Sequence, residues 1–291
     1  MANRALAGVP LEDFNASTNI MLYGLPGSGK TSLAGTAPRA LFWGCEPGVK
    51  AAKRRGSKAH MIKITSWDQA WGLLLTAESG DTGGHEWYII DTISSFENIV
   101  MRSDLDKGYA ENPAKRSEYI PGIDQHQLRQ NQLKRFVERM VDIPVNTLWL
   151  AHEQRPENDD GDIMLLPSIS GGADKGYPVC NYIMGLMDCV GYVVWTEVEG
   201  ERIQRIIWQH TTFTKNKLTT IITAKDQFDV FGPFTDNYLM PDIIAAIGAP
   251  PINTGTKRAA KVEETAEETA EEYEKVAPAP TRRRRAATRR G

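Results

Sequence analysis

Short apolar runs recur along the chain at 19–24 (NIMLYG), 40–44 (ALFWG), 87–91 (WYIID) and 147–152 (TLWLAH), each bounded by Gly, Pro or polar residues. Unbroken runs of this length predict strands buried on both faces. Helical patterns stand between them: after Lys30, at 67–78, at 93–105, and most clearly at 124–141, where Leu128, Leu133, Phe136, Val137 and Met140 make an apolar face. Strand–helix alternation of this kind predicts an α/β fold with a mainly parallel central sheet. The run CVGYVVWTEVEGERIQRIIW at 189–208 differs, because two β-rich segments meet at Glu199-Gly200. That is a hairpin signal, and it predicts an antiparallel C-terminal extension of the sheet.

The ends follow other rules. Residues 1–16 read as a loose arm, 17–250 as one domain, and 251–291 as a tail in which KVEETAEETAEEYEKVAPAPTRRRR is too poor in large apolar groups to offset the entropy of ordering. The whole chain has 291 residues, 41% of them hydrophobic, which excludes collagenous, fully disordered and mini-scaffold classes. It shows no apolar stretch long enough to span a bilayer and no signal-peptide core, so a cytoplasmic protein without membrane contact is expected. Cys45, Cys180 and Cys189 form no C-x-x-C pair and are expected as buried free thiols. The net charge of −3 hides a split: residues 255–291 hold ten Lys/Arg against seven Glu, leaving −6 on the remainder. Bulk charge therefore does not mark the body as a nucleic-acid binder, whereas Arg282, Arg283, Arg284 and Arg285 are a concentrated phosphate-contacting group.

The chemistry is most legible at Gly24-Leu25-Pro26-Gly27-Ser28-Gly29-Lys30-Thr31, which matches G-x-x-x-x-G-K-[ST] between an expected strand and an expected helix. Glycines let the backbone curl so that successive N–H groups meet phosphate oxygens. Gly24, Gly27, Ser28, Gly29, Lys30, Thr31 and Ser32 are thus the expected ATP-binding set, with Lys30 on the β and γ phosphates and the Thr31 hydroxyl on Mg²⁺. Asp91, ending an apolar strand, is the expected acidic partner of that metal; capping the next helix is its alternative role, one that Thr92 could share. Glu46 follows the second strand at the edge where ligands bind and is the candidate for orienting the attacking water, against the alternative of a solvated loop residue. His152 and Glu153 follow the fourth strand and are candidates to sense the γ-phosphate.

This order of elements, ending in the Gly171-Gly172 loop, resembles the RecA-like ATPase core. GLPGSGKTSLA, the CEPG element, IIDTISSFE, LWLAHE and AKDQF look more closely like phage-encoded AAA-type ATPases of the RecA-like branch of the Sak single-strand annealing group. The resemblance spans 17–245 and implies a RecA-like P-loop fold, catalytic use of Glu46, and coupling of the γ-phosphate to DNA through His152 and Glu153. It implies a first DNA loop at 101–122, carrying Arg102, Lys107, Tyr109, Lys115 and Arg116 with Tyr119, and a second at 154–178 around Gly171 and Gly172. Cations among aromatic rings suit a single strand; a solvated loop is the alternative. The chain departs from the pattern in two places. Glu157, Asp159, Asp160 and Asp162 crowd acid into the second loop, and Lys225-Asp226-Gln227 has Gln where relatives carry Arg, leaving Lys225, Lys215 or Lys217 as candidates to act on a neighbouring subunit's nucleotide.

The expected function is an ATP-binding and hydrolysing phage recombination protein that binds single-stranded DNA in a nucleotide-dependent way and self-associates as a filament or ring. A single-strand binding or replication protein is a further expected partner, and the compartment expected from a phage origin is the host cytoplasm. The alternatives are a P-loop ATPase of another class, a helicase loader or motor acting on a protein, and a nucleotide-stabilised DNA-binding protein without turnover.

Overall fold

Six parallel strands form the middle of the molecule, and all but the edge strand at 60–63 are apolar enough to be covered on both sides. In the computed structural model, residues 17–158, 160–169, 178–214, 218–223 and 228–247 are described. The strands are β1 (Asn19–Gly24), β2 (Ala40–Gly44), β3 (His60–Lys63), β4 (Trp87–Asp91), β5 (Asn146–Gln154), β6 (Ile163–Pro167), β7 (Cys189–Val198), β8 (Glu201–Ile207), β9 (Thr211–Thr214), β10 (Leu218–Ile221) and β11 (Phe234–Asp236). Helices are α1 (Lys30–Ala34), α2 (Lys50–Arg54), α3 (Trp67–Glu78), α4 (Ile93–Glu111), α5 (Ile123–Val141), α6 (Pro178–Leu186), α7 (Phe228–Phe231) and α8 (Met240–Ile247). The main sheet runs β11-β8-β7-β1-β5-β4-β2-β3, with β6, β10 and β9 attached through β5. From β7 to β3 all neighbours are parallel, while β7–β8 and β8–β11 are antiparallel. The mainly parallel α/β fold with an antiparallel extension is therefore the one expected from the apolar runs.

Two apolar layers sandwich the sheet. One joins Trp67 and Leu74 of α3, Phe96 and Val100 of α4, Leu133, Phe136, Val137 and Met140 of α5, and Ile183 of α6 to Met21, Trp43, Ile90 and Trp149. The other joins Leu33 of α1, Ala52 of α2 and Met240 and Ile243 of α8 to Ile20, Phe42, Ile89 and Leu148. Alternate residues of one strand thus feed opposite layers, the period of two that a pleated strand imposes. The β7–β8 hairpin turns at Glu199 (φ 53°) and Gly200 (φ 83°), successive left-handed residues of the kind that match the strand twist in tight hairpins.

Several expectations change. Leu128 is 48% exposed and does not join the apolar face of α5. The helix expected at 93–105 continues to Glu111, so Arg102, Lys107 and Tyr109 stand on α4 and only 112–122 forms the turn into α5. It stops where Pro113 disfavours a helical backbone at Asn112, and Asn112 leaves the helical region at φ −149°, ψ 73°. The stretch 154–178 is not one loop: β5 runs to Gln154, and β6 pairs back against it at Glu153↔Pro167 and Gln154↔Leu166 because Leu165 and Leu166 are buried. The polar edge strand β3 has no apolar run to announce it. Among the described residues no helix is long and apolar enough to cross a membrane. The 1–16 arm, the 251–291 tail with Arg282, Arg283, Arg284 and Arg285, and Asp159, Gly171, Gly172, Lys215, Lys217, Lys225 and Gln227 lie outside the described residues.

Candidate nucleotide site

The carboxyl ends of β1, β2, β4 and β5 gather the chemically distinctive groups at one edge of the sheet. The loop after β1 turns on residues that a side chain would block: a Cβ on Gly24 (φ +154°) would sit 2.3 Å from the Val193 carbonyl oxygen, and one on Gly29 (φ +90°) would sit 2.4 Å from Gln204 Nε2. Gly29 caps α1 in the left-handed conformation. Because α1 runs only five residues, its dipole adds little to the site. Ser28 and Ser32 are both buried beside Lys30 in sequence.

Lys30 is 6% exposed, and its ammonium donates to the Gly24 carbonyl at 2.8 Å, the Leu25 carbonyl at 2.9 Å and Ser28 Oγ at 3.3 Å. Burial lowers its pKa to about 8, against the raising fields of Asp91, Glu46 and Glu153. A buried cation ringed by carbonyls is set to gain from an anion.

Asp91 is fully buried at the end of β4, and Thr31 Oγ1 donates to its Oδ1 at 3.3 Å. Burial is the largest force on this carboxyl, with Glu46 adding to it, and raises its pKa to about 6 against the opposing effects of Thr31 and Lys30. Among the described residues Oδ2 has no hydrogen-bond partner. Helix capping belongs to Thr92 instead, whose hydroxyl accepts from the Ser95 N–H at 3.2 Å. An orphaned carboxylate oxygen beside a hydroxyl is a donor set for a hard cation. Among the described residues no group of three or more His, Cys, Asp or Glu could hold a metal by itself.

Glu46 follows β2 and is only partly exposed. Its Oε2 accepts from Ser95 Oγ at 3.0 Å and meets His152 Nε2 at 3.2 Å. The His152 hydrogen bond, the strongest influence, holds the Glu46 pKa below the usual carboxylate range against the cost of burial. His152 is located in turn by its backbone N–H, which donates to Ser94 Oγ at 3.0 Å, while its buried Nδ1 has no partner among the described residues. In β5, Leu148 and Leu150 pack into the α1 layer and Trp149 and Ala151 into the other. His152 continues the first series and Glu153 the second. Glu153 accepts from Tyr192 OH at 2.6 Å and pairs with Arg155, although it still reaches Lys30 electrostatically. The structure therefore joins Lys30, Thr31, Asp91, Glu46 and His152 and sets Glu153 apart with its own partners.

The expected DNA groups lie elsewhere. Lys107 pairs with Asp68 at 2.9 Å and Arg116 with Asp124 at 2.9 Å; Arg102, Tyr109 and Lys115 are exposed. The acidic turn is closed on itself, with Asn158 N–H on the Asp162 carbonyl at 2.8 Å and Asp162 N–H on Asn158 Oδ1 at 2.7 Å. Sequence reasoning missed Ser94 and Ser95, and it missed Trp195 and Gln204 of the hairpin. Trp195 Nε1 donates to the Gly27 carbonyl at 3.0 Å and Gln204 Nε2 to the Ser28 carbonyl at 2.6 Å. A cavity of about 570 Å³ lined by Arg39, Lys58, His60 and His85 opens at the opposite edge, by the amino ends of β2 and β3.

No curated protein matches the chain. Among solved structures it is similar to the crystal structure of a KaiC-like protein from the hyperthermophilic archaeon Pyrococcus horikoshii OT3, at 12% identity and a TM-score of 0.38, over 71% of this chain and 90% of that one. The family model described as AAA domain matches residues 16–226, a span that contains the phosphate loop, Glu46, Asp91 and His152. The chain belongs to the AAA domain family of P-loop ATPases.

Proposed function

We propose that the protein binds and hydrolyses ATP with Mg²⁺ and uses the nucleotide to control its hold on single-stranded DNA, as a recombination protein of the Sak-like, phage-encoded kind. The observation that carries the catalytic part is the convergence of Lys30, Thr31, Asp91, Glu46 and His152 at one sheet edge, with Asp91 Oδ2 and His152 Nδ1 left without partners among the described residues. Lys30 neutralises the β and γ phosphates, and Thr31 and Asp91 hold the ion. When bound, Mg²⁺ supplies charge neutralisation at the transferred phosphoryl group. Glu46, kept ionised by its hydrogen bonds, orients the attacking water and accepts its proton. Shared contact with Glu46 lets His152 report the γ-phosphate along β5. On the DNA side, exposed Arg102, Lys115, Tyr109 and Tyr119 support strand contact on the α4 side, and the Arg282–285 group supplies a salt-sensitive one.

The test is ATP turnover with and without single-stranded DNA, alongside strand affinity in ATP, ADP and no nucleotide, for the native chain and Lys30→Ala. Expected are stimulation by DNA and ATP-dependent affinity that Lys30→Ala abolishes. Identical strand affinity in every nucleotide state would overturn the coupling while leaving the ATPase.

One observation favours a second reading, in which the main partner is a protein or a neighbouring copy in a filament or ring. Tyr119, Ile120 and Ile123 are 81%, 73% and 81% exposed around a single turn, an apolar patch typical of contact surfaces. Sedimentation of Ile120→Ser with ATP tests it: loss of assembly without loss of DNA binding supports this reading, and unchanged assembly rejects it.

A further inference from the structure

The phosphate loop accounts for the phosphate tail of a nucleotide and for nothing beyond it. Trp195 and Gln204 are directly opposite one another across the β7–β8 hairpin, and both reach the loop, Trp195 to the Gly27 carbonyl and Gln204 to the Ser28 carbonyl. The Trp195 ring runs along the loop backbone, its Cζ2 lying 3.4 Å from where a Gly29 Cβ would be. It is only partly buried, so the residue reaches solvent beside the phosphate loop.

Two guanidiniums mark that surface. Arg55, just past α2, places Cζ 5.8 Å from the Trp195 ring centroid, and Arg202 of β8 places Cζ 5.0 Å from it. Neither has a carboxylate partner among the described residues. Because α2 packs on α1 through Ala52 against Gly35, Arg55 bridges the far side of α1 to the hairpin. Planar cations settle on an indole face for the same reason that nucleobases do, since each is a flat group that gains from a π surface. The arrangement is a stacking platform flanked by positive charge and hydrogen-bonded to the phosphate loop itself.

We propose that Trp195, with Arg55 and Arg202 beside it, is the seat for the nucleobase of the nucleotide whose phosphates the Lys30 loop takes. This inference rests on the reading that the loop binds a nucleoside triphosphate, and it adds what the loop motif does not contain, recognition of the base. The platform reads a flat aromatic surface, so a purine, with the larger face, binds more tightly than a pyrimidine. The guanidiniums exchange the indole for the base and the ribose-proximal phosphate.

Calorimetry of ATP, CTP and inorganic tripolyphosphate, each with Mg²⁺, on the full chain, Trp195→Ala, Trp195→Phe and Lys30→Ala tests the proposal. The native chain is expected to prefer ATP to both CTP and tripolyphosphate. In Trp195→Ala the ratio of ATP to tripolyphosphate affinity falls about tenfold, the order of one base–aromatic stack, and the purine preference disappears. Trp195→Phe keeps a ring but loses the N–H to Gly27, and so holds most of that ratio. An unchanged ratio in Trp195→Ala, or equal affinity of ATP and tripolyphosphate for the native chain, overturns the base seat and leaves Trp195 as a brace for the loop. Failure of the underlying reading looks different: neither ligand binds the native chain, or Lys30→Ala binds both as well as the native chain does, which sinks both. Should Trp195→Ala not fold, Trp195→Phe and the three ligands on the native chain still decide.

Discussion

The edge around Lys30 and the turn from α4 into α5 both bring charged side chains together, and they do so in opposite ways. At the first, charges are buried and incompletely matched: Lys30 rests on carbonyls, Asp91 Oδ2 and His152 Nδ1 have no partner among the described residues, and burial lowers the Lys30 pKa to about 8 while raising that of Asp91 to about 6. At the second, charge is exposed, and Arg116 is paired with Asp124 in solvent. Charge kept from water without a full complement of partners costs stability and persists where a ligand completes it. Charge paired in solvent contributes little either way.

Four perturbations sharpen that contrast. Glu46→Gln should cut single-turnover ATP hydrolysis by about 10²- to 10⁴-fold, because an amide cannot accept the water's proton, while ATP affinity stays within about threefold. A variant as fast as the native chain would remove Glu46 from the chemistry. Lys30→Ala should lower Mg·ATP affinity by about 100-fold, measured by calorimetry, through loss of a buried charge-assisted contact.

The third is pH. Asp91 holds its proton to about pH 6 in the folded chain, above its unfolded value, so ligand-free stability should fall as pH rises from about 4 to about 6 and then level. Over the same interval Mg·ATP affinity should rise by up to about tenfold per pH unit, since the ion must displace that proton. Asp91→Asn should flatten both profiles in melting and titration series, and a native profile equally flat would deny Asp91 the metal. The smallest effect belongs to Arg116→Ala, which breaks a pair 38% and 59% exposed and should move Tm by about 1 °C or less in a thermal melt.

Much of the fold was legible because its signals are local. NIMLYG, ALFWG, WYIID and TLWLAH became parallel strands, for a strand covered on both faces has no polar side to show. The loop at 24–31 and Asp91 were readable from spacing at a strand end. What stayed hidden depends on partners far apart in the chain: Ser95 bonds Glu46 across 49 positions, His152 bonds Glu46 across 106, and Gln204 reaches Ser28 across 176. Such contacts leave no period in the sequence. The length of α4 was missed for another reason, since Asp106, Lys107, Tyr109 and Glu111 on its last turns lie on an exposed face and carry no apolar repeat.

The strand β5 sits between β1 and β4, with Gly24 opposite His152 on one side and Asp91 opposite Leu150 on the other. An insertion or deletion of a single residue within it would not weaken the centre by degrees. It would rotate every later side chain to the reverse surface, put Ala151 or Glu153 where the imidazole stands, and cut Glu46 off from its neighbour in one step. The middle of this sheet is thus a ratchet with one permitted notch, which tolerates changes of residue far more readily than changes of length.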